Sequence, residues 1–179
     1  HTPARYLVVL DVGHGNCCIV KDDNGVVVID TGLGTTLLEF LTANGIKSVD
    51  VVLLSHADQD HISGLVQLLA SNEVSVGRVR LNTAAKNTRL WKNLLGELED
   101  QERQGKLNWQ IQLTSDSGED YSLGRVKIDI LAPGKKLAGL GPGGRTDDNE
   151  SITTNTVSCV VHLSQGADSI AVIPGDIDD

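Results

Sequence analysis

The segment Val49 to Leu54, apolar at every position but Asp50, stops abruptly at Ser55-His56-Ala57-Asp58-Gln59-Asp60-His61. No other feature constrains the fold of this chain as strongly. A short run rich in β-branched and aliphatic residues reads as a strand covered on both faces, and such strands belong to sheets flanked by helices. Two imidazoles and two carboxylates follow within seven residues, ahead of a helical pattern carrying Leu65, Leu68 and Leu69. Inside a strand or helix those four side chains would scatter over several faces, and burying them unpaired would be costly. In a strand-to-helix loop they can converge on one point.

The remaining pattern builds an α/β domain around that junction. Strands are expected at Tyr6 to Val12, Cys17 to Lys21 and Val26 to Ile29, with Asp23-Asn24-Gly25 as a hairpin turn favoured by residues that tolerate positive φ. Thr35 or Thr36 can cap a helix that buries Leu37, Leu38, Phe40 and Leu41, and Gly45 suits the left-handed position at its end. Arg78 to Leu81 reads as a strand, and Leu90, Leu94, Leu95 and Leu98 line one face of a helix. Later strands are expected at Trp109 to Leu113, Val126 to Leu131, Thr156 to Leu163 and Ile170 to Ile173, with a long loop from Pro133 to Asn155. Nothing divides residues 1–179, so one domain is expected. With 2 Trp, 2 Tyr and 1 Phe, its core must be aliphatic.

The formal charge of −9 argues against a non-specific nucleic-acid coat, though not against an enzyme whose bound metal offsets its acidic ligands. No apolar run approaches the ~20 residues of a membrane span. Cys17 and Cys18 are adjacent and would point to opposite faces of a strand, which favours buried reduced thiols and a cytoplasmic setting.

Imidazole and carboxylate in the pattern H-x-D-x-D-H suit one or two divalent metals, with His56, Asp58, Asp60 and His61 as candidate ligands. Gly175-Asp176 follows an apolar strand and offers a carboxylate that could bridge two ions. Asp30, ending the strand in Ile29-Asp30-Thr31-Gly32, is placed to accept hydrogen bonds from the ligand loop and hold it.

Val28-Ile29-Asp30-Thr31-Gly32, the cluster from His56 to His61 with Gly64, and Gly175-Asp176 follow the motif order of the metallo-β-lactamase superfamily, which the chain resembles. Asp58 stands where that family's usual H-x-H-x-D-H loop has a second His. This variant, with Asp11-Val12-Gly13-His14-Gly15-Asn16 and Asn155-Thr156-Val157-Ser158, is most similar to the metallo-β-lactamase-like domain of ComEC competence proteins. The resemblance implies a four-layer αββα sandwich, His56 and Asp58 on one metal, Asp60 and His61 on the other, and Asp176 between them. His14 and Asn16 replace the Gln and Asp common in the ComEC-like turn, and no third-motif His lies between His61 and Asp176. The chain has no Met, so a piece of a longer product is expected; the family's later His-His-Gly-Ser run is absent, so either C-terminal strands and a helix of the fold are missing, which is the expectation, or the second metal site is incomplete.

Such an oxygen-rich site favours Mn²⁺ or Mg²⁺ as well as Zn²⁺. The leading expectation is a metal-dependent phosphodiesterase that cleaves DNA with hydroxide activated between two divalent ions, Asp60 and His61 being central to the chemistry. A small-molecule hydrolase of a lactam, thioester or lactone is the alternative within the family. A non-catalytic metal-stabilised module of a larger, for example antiviral, assembly is the alternative outside catalysis. Between Val74 and Gly96, Arg78, Arg80, Lys86, Arg89 and Lys92 occur without an acidic residue. They form a candidate track for a phosphate backbone with Trp91 for base stacking, or else a solvated face.

Overall fold

A computed structural model describes residues 5–82 and 88–177 of the chain. The elements run β1 (Tyr6–Val9), β2 (Cys18–Asp22), β3 (Gly25–Ile29), α1 (Thr36–Ala43), β4 (Ser48–Leu53), α2 (Gln59–Ser71), β5 (Ser75–Leu81), α3 (Arg89–Arg103), β6 (Asn108–Ile111), β7 (Lys127–Ala132), α4 (Lys135–Leu140), β8 (Val160–Gln165) and β9 (Asp168–Ile173). A six-stranded sheet has the order β1-β2-β3-β4-β5-β6, and a three-stranded sheet the order β7-β8-β9. In the larger sheet β1, β2 and β3 pair antiparallel, whereas β3 through β6 pair parallel.

Strand alternation separates two apolar clusters. Ile19, Val26, Val28 and Val52 face one side with Leu37, Leu41, Leu65, Leu68, Leu94 and Leu98 of the helices. Their neighbours Val20, Val27, Ile29, Val51 and Leu53 face the other side with Ile128, Val161, Leu163 and Ile173 of the second sheet. Because β3 and β4 are apolar on both faces, they must lie between two layers, and each fully buried aliphatic side chain contributes ~1.5–3 kcal/mol. Helices α1 to α3, the first sheet and the second sheet thus stack as the α, β and β layers of the expected αββα sandwich, with Leu131, Ile170 and Val172 exposed on the second sheet.

Asp50 interrupts an otherwise apolar strand for a local reason. Its carboxylate accepts the Val26 N–H at 2.8 Å, and a Cβ on Gly25 would lie 2.2 Å from the same carboxylate oxygen. Gly25 therefore serves this close approach, not the expected positive-φ turn: Asp23 and Asn24 join β2 to β3, and neither they nor Gly25 adopt positive φ.

Three further expectations are corrected. The strand expected from Thr156 starts at Val160, since Ser158 N–H bonds Asn155 and Cys159 N–H bonds the Ser55 carbonyl, which diverts this backbone from the sheet to the ligand loop. The expected loop after Pro133 contains α4 and a hairpin-like turn in which Arg145 donates to the Asn149 carbonyl. Trp91 is packed into the helix-side core, so its ring is not free to stack on a base. Among the described residues no helix is long and apolar enough to cross a membrane.

Candidate metal centre

Strand β3 ends at Ile29, and the next residue is Asp30, whose φ of 56° lies in the left-handed region that Asp tolerates better than most residues. The turn directs a fully buried carboxylate under the loop that follows β4. Asp30 Oδ1 accepts the Ser55 N–H at 2.7 Å, while Oδ2 accepts the Ser55 hydroxyl at 2.7 Å and His61 Nδ1 at 2.9 Å.

These bonds determine where the imidazole protons sit. Ser55 has one hydroxyl hydrogen and gives it to Asp30, so its Oγ can only accept from His56 Nδ1 at 3.0 Å and from His61 Nδ1 at 3.3 Å. Both rings therefore carry hydrogen on Nδ1 and present the Nε2 lone pair. Both Nε2 atoms are buried without a hydrogen-bond partner. They face Asp176 Oδ2, at 3.6 Å from His56 and 3.4 Å from His61. The ligand atoms of His56, His61 and Asp176 all lie within 4.8 Å of one another.

Two lone pairs and a carboxylate oxygen converging without a donor among them is unfavourable for the protein alone, since an orphaned buried polar atom costs ~1–3 kcal/mol. A divalent cation satisfies all three, so the donor set fits a metal. Asp60 Oδ2, 3.8 Å from His61 Nε2, stands beside this group. Asp58 is the N-cap residue of α2, its carbonyl accepting the His61 and Ile62 N–H groups, and it lies outside the group of three. The helix thus begins inside the cluster, with Gln59, Asp60 and His61 already helical.

Electrostatics distinguish the two imidazoles. Burial, reinforced by the charge of His61, pushes the pKa of His56 down. Burial opposes charge on His61 too, but the hydrogen bond and charge of Asp30, with Asp176 and Asp60 nearby, hold its pKa above the ordinary value.

Several positioning groups were not legible as such in the sequence. Thr31 donates its N–H and its hydroxyl to the His61 carbonyl at 2.9 and 2.7 Å, and its Oγ accepts the Leu65 N–H at 3.0 Å. The hydroxyl is thereby inserted between two helical groups that would otherwise bond each other. Gly64 permits this contact, because a Cβ there would lie 2.1 Å from the Thr31 carbonyl oxygen. From the other side the turn between β1 and β2 packs on the ligand loop: a Cβ on Gly15 would be 2.0 Å from the Asp60 carbonyl oxygen, and Asn16 Nδ2 reaches Asp30 at 3.4 Å. In the sequence Thr31, Gly64, Gly15 and Asn16 were visible only as members of the quoted motifs, with no contact assigned to any of them.

The basic track is largely reassigned. Arg80 is buried and clasps Glu119 through Nε at 2.7 Å and Nη2 at 2.9 Å, and Arg78 Nη1 reaches the same carboxylate at 3.0 Å. Both guanidinium groups are engaged within the fold, and they hold the Glu119 carboxyl below the usual range against the opposing effect of burial. Lys86 lies outside the described residues. Arg89 and Lys92 are exposed on α3. Arg89 lines a cleft of about 490 Å³ with Thr88 and Leu90, opposite Ala57, Asp58, Gln59 and Asp60. His162 Nε2 bonds Ser169 at 2.9 Å, away from the histidine pair.

Two sheets packed face to face under a helical layer, with an imidazole pair and a carboxylate at the strand ends, define the framework of a metal-dependent hydrolase class. The Metallo-beta-lactamase superfamily profile matches residues 10–177, and the chain belongs to that superfamily, whose members are mostly metal-dependent hydrolases. ComE operon protein 3 of Bacillus subtilis (strain 168) is 37% identical over 87 residues, covering 37% of this chain and 11% of that protein. The metallo-beta-lactamase fold protein YhfI from Bacillus subtilis superposes with a TM-score of 0.50 at 12% identity, over 87% of this chain and 52% of its own. An archaeal metallo-beta-lactamase superfamily protein from Sulfolobus tokodaii has a TM-score of 0.49 at 15% identity, over 90% of this chain and 61% of its own. The chain therefore spans about half the length of these solved structures and a small part of the curated relative.

Proposed function

We propose that this chain is a metal-dependent phosphodiesterase acting on DNA, with two divalent ions, Zn²⁺, Mn²⁺ or Mg²⁺, held by His56, Asp58, Asp60, His61 and Asp176. The observation that carries the metal reading is the pair of buried Nε2 lone pairs aimed at Asp176 with no donor between them. Divalent ions at these ligands would lower the pKa of water and offset the charge that develops on phosphoryl oxygens during displacement.

The protein's own part is positioning. Asp30 and Ser55 keep both imidazoles in the ligating tautomer, Thr31 and Gly64 hold the first turn of α2, and Asp60 stands at the cleft wall. Across that cleft Arg89 offers a guanidinium to a phosphate, with Lys92 exposed farther along the same helix. DNA as substrate is supported by the ComEC-like motif pattern, and a multidomain parent by the short match to a much longer relative.

The test is incubation of the chain with DNA in Mn²⁺, Mg²⁺ or Zn²⁺, with and without chelator, alongside the double variant Asp60→Ala/His61→Ala. Metal-dependent cleavage that the double variant lacks is the expected result. Hydrolysis of a chromogenic ester or β-lactam with DNA left intact would instead assign a small-molecule hydrolase, and inactivity on every substrate a non-catalytic module.

A further inference from the structure

We infer that Ser158 is a positioning residue of the metal centre, tying the carboxylate ligand of the second sheet to the histidine ligand of the first. This inference rests on the metal reading above and goes beyond it by naming what sets the distance between His56 and Asp176.

Ser158 is fully buried in the turn that precedes β8. Its Oγ accepts the Asp176 N–H at 3.1 Å and stands 3.3 Å from His56 Nδ1, a residue 102 positions earlier. The next residue, Cys159, donates its N–H to the Ser55 carbonyl at 2.8 Å, so the same turn also grips the start of the ligand loop. Gly175, at φ 59°, lies against the hydroxyl so closely that a Cβ there would be 2.3 Å from Ser158 Oγ. One hydroxyl is thus in contact with both halves of the centre and with the glycine that turns the chain into Asp176.

The division of labour with Ser55 follows from the bonds. His56 retains its Nδ1 partner in Ser55 when Ser158 is truncated. Asp176 is different: its N–H bond to Ser158 holds it toward the histidines, while its side chain is half exposed. Removing Oγ should therefore act on the metal centre through Asp176, leaving His56 in its ligating tautomer.

Co²⁺ binding by the full chain, followed by its visible absorption and by calorimetric titration, tests this. Ser158→Ala is expected to bind Co²⁺ ~10–100-fold more weakly, the range found when a group supporting a metal ligand is lost. Asp176→Ala should weaken binding at least as much, and the double variant should bind no worse than Asp176→Ala alone, because both substitutions remove the same ligand. A merely structural role would lower the melting temperature of the metal-free chain while leaving the Co²⁺ spectrum and affinity at parental values. Parental affinity in Ser158→Ala, or losses that multiply in the double variant, would overturn the assignment and leave the metal reading standing. Failure of the parent chain to bind Co²⁺ would overturn both. Should Ser158→Ala not fold, Ser158→Cys, close in volume and a weak acceptor, carries the same comparison.

Discussion

Replacing Asp30 by Asn isolates the chemistry of one carboxylate. Asn is among the few residues that accept the φ of 56° found at position 30, so the turn is preserved. Oδ1 of Asp30 receives one hydrogen, from Ser55 N–H, and Oδ2 receives two short ones, from the Ser55 hydroxyl and His61 Nδ1. An amide supplies one acceptor and one donor group, so one of these two positions must become a donor facing a donor. With the amide NH₂ at the Oδ2 position, the Ser55 hydroxyl loses its acceptor and the His61 ring is driven to carry hydrogen on Nε2. In that tautomer His61 has no Nε2 lone pair to turn toward a metal beside Asp176. With the NH₂ at the Oδ1 position, the buried Ser55 N–H is orphaned instead. Either arrangement leaves a buried donor unsatisfied, at ~1–3 kcal/mol of stability. In the first arrangement metal affinity should also fall ~10–100-fold, which is about 1.4–2.8 kcal/mol of binding free energy, whereas the second costs stability alone. Calorimetric titration with Co²⁺ or Zn²⁺, paired with urea unfolding of the metal-free chain, measures the two losses separately. Parental metal affinity together with parental stability in an Asp30→Asn chain would refute the tautomer reasoning, because one of the two arrangements must occur.

Glu119→Gln should destabilise the chain at pH 7 by about 1.5–3 kcal/mol, because Arg80 loses its charged partner in a buried position. The pKa of Glu119 is depressed in the fold, so its stabilisation is present above the unfolded value near 4.5 and lost as pH falls through the lower folded value. Urea midpoints of parent and variant should therefore converge on acidification across that window, and a constant gap would contradict the assignment. Burial pushes up the thiols of Cys17, Cys159 and Cys18, the last to about 11. Iodoacetamide at pH 8 should accordingly leave the native chain unlabelled and label all three in urea, whereas labelling of the native chain would contradict their burial.

Legibility followed the range over which each cause acts. The β-branched runs of Val26 to Ile29 and of β4 and the leucine spacing of α2 are local patterns, so these strands and helices could be read from residue order, while their layering was implied by the family resemblance. Where long-range bonds decided the backbone, the reading failed: Thr156 to Ser158 left the expected strand because Cys159 bonds Ser55. Charge pattern was the weakest guide. Arg78 and Arg80 look like solvent-facing cations in a basic stretch, yet Glu119, some forty residues later, holds both.

The motif from His56 to His61 and the carboxylate of Asp176 were visible as residue types, since ligand chemistry is written in side-chain identity. Residue order alone could not show that Ser55 and Ser158 flank His56, or that Asp30 gathers Ser55 and His61. Apart from that of the adjacent Ser55 and His56, those contacts join segments more than twenty residues apart, at the ends of strands from two sheets. Which elements form was settled by short-range hydrophobic spacing, while the ring tautomers and the convergence of lone pairs on Asp176 came only with the packing of sheet against sheet. A hydrogen bond is sensitive to tenths of an ångström, and only the assembled layers supply that precision.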